Sequence, residues 1–344
     1  MLTLENIVSS EIKFGNIWIF ITNKCNFNCD YCFFSDRNGK ETLAFAKILL
    51  LLDKLPESNK YDFVISGGEP LLSWRLTKRL ILYIKKKYPE SEITLQTNML
   101  FFSEERAVVL KENDVVVEPG IDGDFPVNSK HRKGMTEASF KKCLKNLESI
   151  AANNLRMNPT MTVHPEEVWN MFKSFKKLVS LGLNSIEVHP SFMTDWGREE
   201  AKEFIRQYII ILEYEKRTGR CLVCKDYSLY KKGLSLDLVI QPDGFVLPNW
   251  TYLAFPYKLR ENFFIMKLSE NGIIILEKNF IKYLSKLKGF FKETRTYRDF
   301  SNFNASLVFQ YVRNAKLEKS FLNYKRLCKI IQNVDQLFLR RRVG

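Results

Sequence analysis

The 344-residue chain has no apolar run of membrane-spanning length; its best candidate, Leu43 to Leu52, is broken by Lys47. Met1 to Ser10 lack a basic end followed by an apolar core, so no secretory signal is expected. Internal repeats and low-complexity tracts are also missing, and with them any sign of a solenoid or an extended linker. The seven cysteines are odd in number and irregularly spaced, which excludes a secreted disulfide framework and points to a reducing cytoplasm.

What remains is the composition of an ordinary globular protein, 45% hydrophobic and 27% charged. The length accommodates one large domain, or a barrel-sized domain plus a smaller one. The net charge of +14 is unevenly placed: residues 251 to 344 hold 19 Lys and Arg against 7 Asp and Glu. A basic surface there can attract an acidic peptide, a nucleic acid or a membrane face, or it is simply a solvated helical face.

The stretch most constrained by chemistry is Cys25-Asn26-Phe27-Asn28-Cys29-Asp30-Tyr31-Cys32, which follows the apolar strand Ile17 to Ile21. Three thiols in one short loop can grip three corners of an iron–sulfur cube and leave the fourth iron open to a ligand. A partial zinc site and reduced structural cysteines are the competing readings. A second stretch, Ser66-Gly67-Gly68-Glu69-Pro70, follows the strand Tyr61 to Ile65. Its glycines let backbone approach a charged ligand closely, and the carboxylate beside them can receive an ammonium.

Together, in this order, the two stretches resemble the radical S-adenosylmethionine (radical SAM) enzymes. The strand Ile93 to Asn98 ends in Thr97-Asn98, similar to the family's Thr-Asn-Gly, with Met99 at the glycine position. Gly120-Ile121-Asp122-Gly123 and His131-Arg132 resemble the Ser-Ile-Asp-Gly and His-Asp-x-x-Arg region of sulfatase-maturase-like members, with Gly120 in place of the serine.

The resemblance implies that Cys25, Cys29 and Cys32 bind one [4Fe–4S] cluster. It also implies S-adenosylmethionine (SAM) held by Tyr31, Gly67, Gly68, Glu69, Thr97 and Asn98, with Arg132 as carboxylate anchor. The activity implied is reductive cleavage of SAM to a 5′-deoxyadenosyl radical that abstracts a substrate hydrogen atom, with a flavodoxin- or ferredoxin-type electron donor.

Six strands, the last two at Arg156–Val163 and Ser185–His189, alternate with helices from residue 17 to residue 190. That rhythm predicts an α/β fold, a partial (β/α)6 TIM-like barrel with ligands at the strands' C-terminal ends. Two short β runs around Pro242-Asp243-Gly244 predict a hairpin. This hairpin resembles the start of the SPASM or Twitch extension of peptide-modifying members, with Asn249 at a cysteine position. An auxiliary cluster needs about four thiolates, which Cys221, Cys224 and Cys328 cannot supply without a non-cysteine ligand, so a vestigial extension without its metal is expected.

The expected organisation is a barrel over 1–200, a degenerate extension over 201–260 and a basic helical region over 261–344, with no leader-peptide-binding domain before the first strand. A peptide or protein substrate is the leading expectation. Small-molecule chemistry, nucleic acid modification and a non-enzymatic sensing or scaffolding role are the alternatives. Cys221 and Cys224 are candidate hydrogen-atom donors for a redox-neutral outcome such as epimerisation, and His189 is a candidate substrate-facing residue at a strand end.

Overall fold

The computed structural model describes residues 13–34, 36, 39–57, 59–192, 194–223, 235–249, 252–253, 257–282, 327 and 330–331. Four apolar segments, β1 (Lys13–Phe20), β3 (Asp62–Ser66), β4 (Glu92–Thr97) and β5 (Val115–Pro119), lie side by side in parallel. Ile17, Ile19, Phe63, Ile65, Ile93, Leu95, Val115 and Val117 on them are buried, the pattern of a parallel sheet covered by helices. Between β1 and β3 lies the two-residue strand β2 (Asn28–Cys29).

The covering layer comes from α1 (Phe45–Leu52), α2 (Trp74–Lys87), α3 (Glu104–Glu112), α4 (Phe125–His131), α5 (Glu137–Ala152), α6 (Met171–Ser180) and α7 (Arg198–Thr218). α2 buries Thr77, Leu80, Ile81 and Ile84 on one face, close to the apolar stripe its sequence predicts. α7 ends at Gly219, whose left-handed φ of 66° lets the chain leave the helix axis. Three of these helices, α3, α4 and α5, are not marked by the sequence, which reads the approach to His131 as a loop. α3 mixes buried Ala107, Val109 and Leu110 with charge and presents no one-sided stripe. α5 does carry a stripe, Phe140, Cys143, Leu147 and Ile150, and opens with a reciprocal Thr136–Ser139 capping box.

β6 (Arg132–Lys133) is a short insertion before α5, and the parallel run then continues through β7 (Thr160–Val163) and β8 (Glu187–Pro190). β7 attaches to β5 only through isolated bridges at Val117–Met157 and Gly120–Thr160. The six expected strands are therefore present in the expected order, shorter at β7 and β8 than the sequence suggests.

The hairpin forms as β9 (Ser235–Ile240) and β10 (Phe245–Leu247), but it is not an appendage. β9 runs parallel to β1 from Lys13–Ser235 to Ile19–Ile240 and continues the barrel sheet across its first edge. Helices were expected throughout the region beyond 260. The described part instead contains the short helix α8 (Tyr257–Arg260) and two antiparallel strands, β11 (Met266–Ser269) and β12 (Gly272–Ile275), which complete an eight-stranded sheet. Their alternation over four residues is too short to separate from a helical pattern by sequence. Most of the helical region expected beyond residue 283 lies outside the described residues; of the few described there, Leu327 and Ile331 are buried. No helix among the described residues is long and apolar enough to cross a membrane.

Candidate active site at the strand tips

The turn after β3 sets the position of the cysteine loop. Gly68 N donates to Thr22 O at 2.7 Å and Glu69 N to Lys24 O at 2.8 Å, so the turn lies against the three residues that lead into Cys25. A Cβ on Gly67 would meet Thr22 O at 2.5 Å, and one on Gly68 would meet Lys24 O at 2.2 Å. Gly67 also has a φ of 144°, closed to other residues. The glycine pair is required here by backbone approaching backbone.

The loop itself is closed by a ribbon in which β2 pairs with β6, Asn28 opposite Lys133 and Cys29 opposite Arg132. Cys32 N donates to Cys29 O at 3.2 Å and Asp30 N to His131 O at 3.0 Å. Cys25, Cys29 and Cys32 are not in disulfides and are of intermediate exposure. Burial pushes the Cys25 thiol up to about 11, and burial opposed by the Arg132 charge pushes Cys29 up to about 12. Three thiols in one loop, two of which resist ionising without a cation, form a donor set suited to a cationic metal centre.

Glu69 is wholly buried and joins two strand tips. Its carboxylate accepts from Leu71 N at 2.9 Å, Thr97 Oγ1 at 2.8 Å and Asn98 N at 2.8 Å. Burial outweighs those donors and raises its carboxyl from 4.5 to about 7. Asn98 Nδ2 in turn donates to Asn26 Oδ1 in the cysteine loop at 2.9 Å. Met99, at the family's glycine position, has a φ of 71°, the left-handed backbone that a glycine there adopts freely. The sequence therefore departs from the pattern while the backbone does not.

A second buried carboxylate, Asp122, follows β5. Arg132 grips it in bidentate fashion, Nε to Oδ2 at 2.8 Å and Nη2 to Oδ1 at 2.9 Å. The Tyr31 hydroxyl donates to Oδ2, and Thr162 N donates to Oδ1 at 3.0 Å. Burial alone would lower Arg132, but the Asp122 charge, with Tyr31 and Cys29, outweighs it and holds the guanidinium well above its ordinary range. Burial, opposed by Arg132 and aided by Asp122, holds the Tyr31 phenol well above its own. Arg132 is thus at the site but held on Asp122, and Nη1 is the guanidinium nitrogen without a hydrogen bond among the described residues. A Cβ on Gly120 would meet that Nη1 at 3.0 Å, which accounts for a glycine at the family's serine position.

The remaining candidates lie apart. Cys221 is exposed and precedes Leu222, whose carbonyl accepts from Ile186 N at 2.8 Å at the start of β8. That is the N-terminal end of the strand, away from the cysteine loop. Cys224 and Cys328 lie outside the described residues. His189 Nε2 stands 3.0 Å from Glu187 Oε1 on its own strand. Asn249 is buried and donates to Asp237 Oδ2 at 2.9 Å, so a hydrogen bond stands where the family pattern has a metal ligand. Cys143, which no motif marks, is buried on α5 with Sγ 3.3 Å from Asn98 O.

An α/β sheet here brings three thiols that are not in disulfides, a glycine turn and two buried carboxylates together at its strand tips. Residues 19–179 match the family model of the radical SAM superfamily, and with the maturating-enzyme relatives this supports an enzyme of the radical SAM class, whose cofactors are a [4Fe–4S] cluster and SAM. It is 27% identical over 275 residues to the cysteine-type anaerobic sulfatase-maturating enzyme of Clostridium novyi, covering 69% of this chain and 74% of that one. An uncharacterized protein of Methanocaldococcus jannaschii is 28% identical over 223 residues, 62% of this chain and 72% of that one. Among solved structures, native anSMEcpe with bound AdoMet and Cp18Cys peptide superposes with a TM-score of 0.63 at 15% identity, covering 93% of this chain and 99% of that chain. At that identity the likeness establishes the fold.

Proposed function

We propose that the chain modifies a peptide or protein by radical SAM chemistry, with Cys25, Cys29 and Cys32 holding its [4Fe–4S] cluster. The observation that carries this reading is the meeting of the loop of three thiols, none in a disulfide, with the 67–69 turn and the Thr97–Asn98 tip in one hydrogen-bonded unit. When bound and reduced, the cluster supplies the electron that splits SAM into methionine and a 5′-deoxyadenosyl radical.

The chain's own residues then hold and orient. Gly67 and Gly68 keep the ligand-facing turn free of side chains. Glu69 draws the tips of β3 and β4 together and favours a cation near the turn. Thr97 and Asn98 fix the facing backbone, and Arg132 Nη1 offers a donor to a carboxylate beside the Tyr31 ring. A peptide substrate is supported by the names of similar proteins, the sulfatase-maturating enzymes and SuiB, solved bound to precursor peptide SuiA.

We further infer a flavodoxin- or ferredoxin-type electron donor, an anionic partner for the basic 251–344 segment and a reducing cytoplasm. The division into 1–200, 201–260 and 261–344 is kept as a functional one. The test is anaerobic reconstitution followed by iron and sulfide analysis and a 5′-deoxyadenosine assay with dithionite, SAM and short peptides encoded beside the gene. About four irons per chain are expected, together with 5′-deoxyadenosine and a modified peptide. Iron content unchanged in Cys25→Ala would overturn the assignment of the thiols, and turnover on a small molecule but on no peptide would overturn the substrate class.

A further inference from the structure

Beside the cysteine loop, and using none of its thiols, three other ligand-type side chains meet. Asp30 lies in the loop between Cys29 and Cys32, His131 ends α4, and His164 follows the tip of β7. One donor atom from each lies within 4.8 Å of the others. The chain has three histidines in all, and two of them are in this cluster.

The arrangement leaves His131 poorly served by protein alone. Nδ1 is 3.1 Å from Asp30 Oδ2, which favours the tautomer with the proton on Nδ1. Nε2 is then a lone pair, buried without a hydrogen-bond partner among the described residues, and Glu167 Oε1 stands 3.9 Å from it. That carboxylate already carries the Lys130 ammonium at 2.6 Å, so Nε2 is the open donor of the group, a lone pair with nothing to accept it. The His164 ring stacks on His131 at 4.0 Å between centroids, with planes 25° apart. Two imidazoles and a carboxylate are the donors that borderline divalent ions such as Zn(II) select.

We propose that Asp30, His131 and His164 form a second metal site, for a borderline divalent ion of the Zn(II) class, with Glu167 as the adjoining carboxylate. Donors within 4.8 Å need only side-chain rotation to close on an ion at about 2.0–2.2 Å. The ion would tie three separate segments together: the cysteine loop, the end of α4 and the tip of β7. Its role would be to pin the loop, since Asp30 stands between two of the thiols. The site does not depend on the proposed substrate, and its test does not read activity.

The test uses the cluster-reconstituted protein, so that Cys25, Cys29 and Cys32 are occupied, dialysed anaerobically against Zn(II). One zinc per chain beyond the iron is expected, with a nitrogen and oxygen shell at the zinc X-ray absorption edge. His164→Ala and Asp30→Asn should each weaken zinc binding about tenfold or more, with iron content retained in His164→Ala. His164→Gln, which keeps a polar side chain of similar size, decides the matter if His164→Ala loses iron and zinc together. A sulfur shell, no zinc beyond the iron, or unchanged zinc affinity in the histidine variants overturns the proposal.

Discussion

Two buried carboxylates flank the cysteine loop, and the molecule treats them in opposite ways. Asp122 is met by a full charge, the bidentate Arg132 guanidinium, with Tyr31 and Thr162 as its further donors. Glu69 accepts hydrogen bonds from uncharged donors, two backbone N–H groups and the Thr97 hydroxyl, with the Arg106 charge acting on it without a hydrogen bond, and burial raises its carboxyl to about 7. The Asp122 side is therefore a closed ion pair, while the Glu69 side retains an unmet demand for positive charge. A cationic group would be drawn to the glycine turn rather than to Asp122, while Arg132 Nη1 is left to face an anionic one.

The largest effect should come from breaking the closed flank. Asp122→Asn leaves the Arg132 charge buried without its counter-ion and should cost about 3–5 kcal/mol in chemical denaturation of the cluster-free protein. Urea titrations of the variant and the parent protein measure this, and a loss under 1 kcal/mol would mean that Arg132 finds another partner.

The open flank should respond to pH instead. The folded-state pKa of Glu69 lies above its unfolded value of 4.5, so the folded state binds the proton more tightly. Its contribution is fully present below about pH 4.5 and is lost as pH rises toward about 7, up to about 3 kcal/mol in all. Glu69→Gln should remove that slope from stability measured between pH 5 and pH 8. A slope that persists in the variant would assign the titration to another group.

Smaller effects should come from outside the pair. Asn249→Ala removes a buried hydrogen bond to Asp237 and should cost about 1–2 kcal/mol by the same denaturation, with iron content unchanged. Loss of iron in that variant would return a metal role to the hairpin. The smallest is Cys221→Ala, an exposed position at the far end of β8, expected to change stability by less than about 0.5 kcal/mol and to leave 5′-deoxyadenosine formation unaltered. A changed product would restore Cys221 as a hydrogen-atom donor.

Much of this was legible before the fold. The three-thiol loop and the glycine turn are short, local patterns whose chemistry needs those residue types at those spacings, and the apolar strands before them read as buried runs. The C-terminal strands β11 and β12 were not legible, since four-residue runs carry too little period to separate strand from helix. The pairing of β9 with β1 joins residues more than 200 apart in sequence, and no local pattern encodes such a partner.

The sequence by itself determined the class of chemistry and the order of the parallel strands, because both rest on neighbours in the chain. Only the tertiary structure decided what each polar side chain faces. It put Glu69 among uncharged donors, Arg132 on Asp122, Asn249 on Asp237, and Asp30 beside two histidines from distant segments. Those assignments depend on burial and on contacts between remote segments, which raise or lower a charge's cost by several kcal/mol and leave no trace in local spacing.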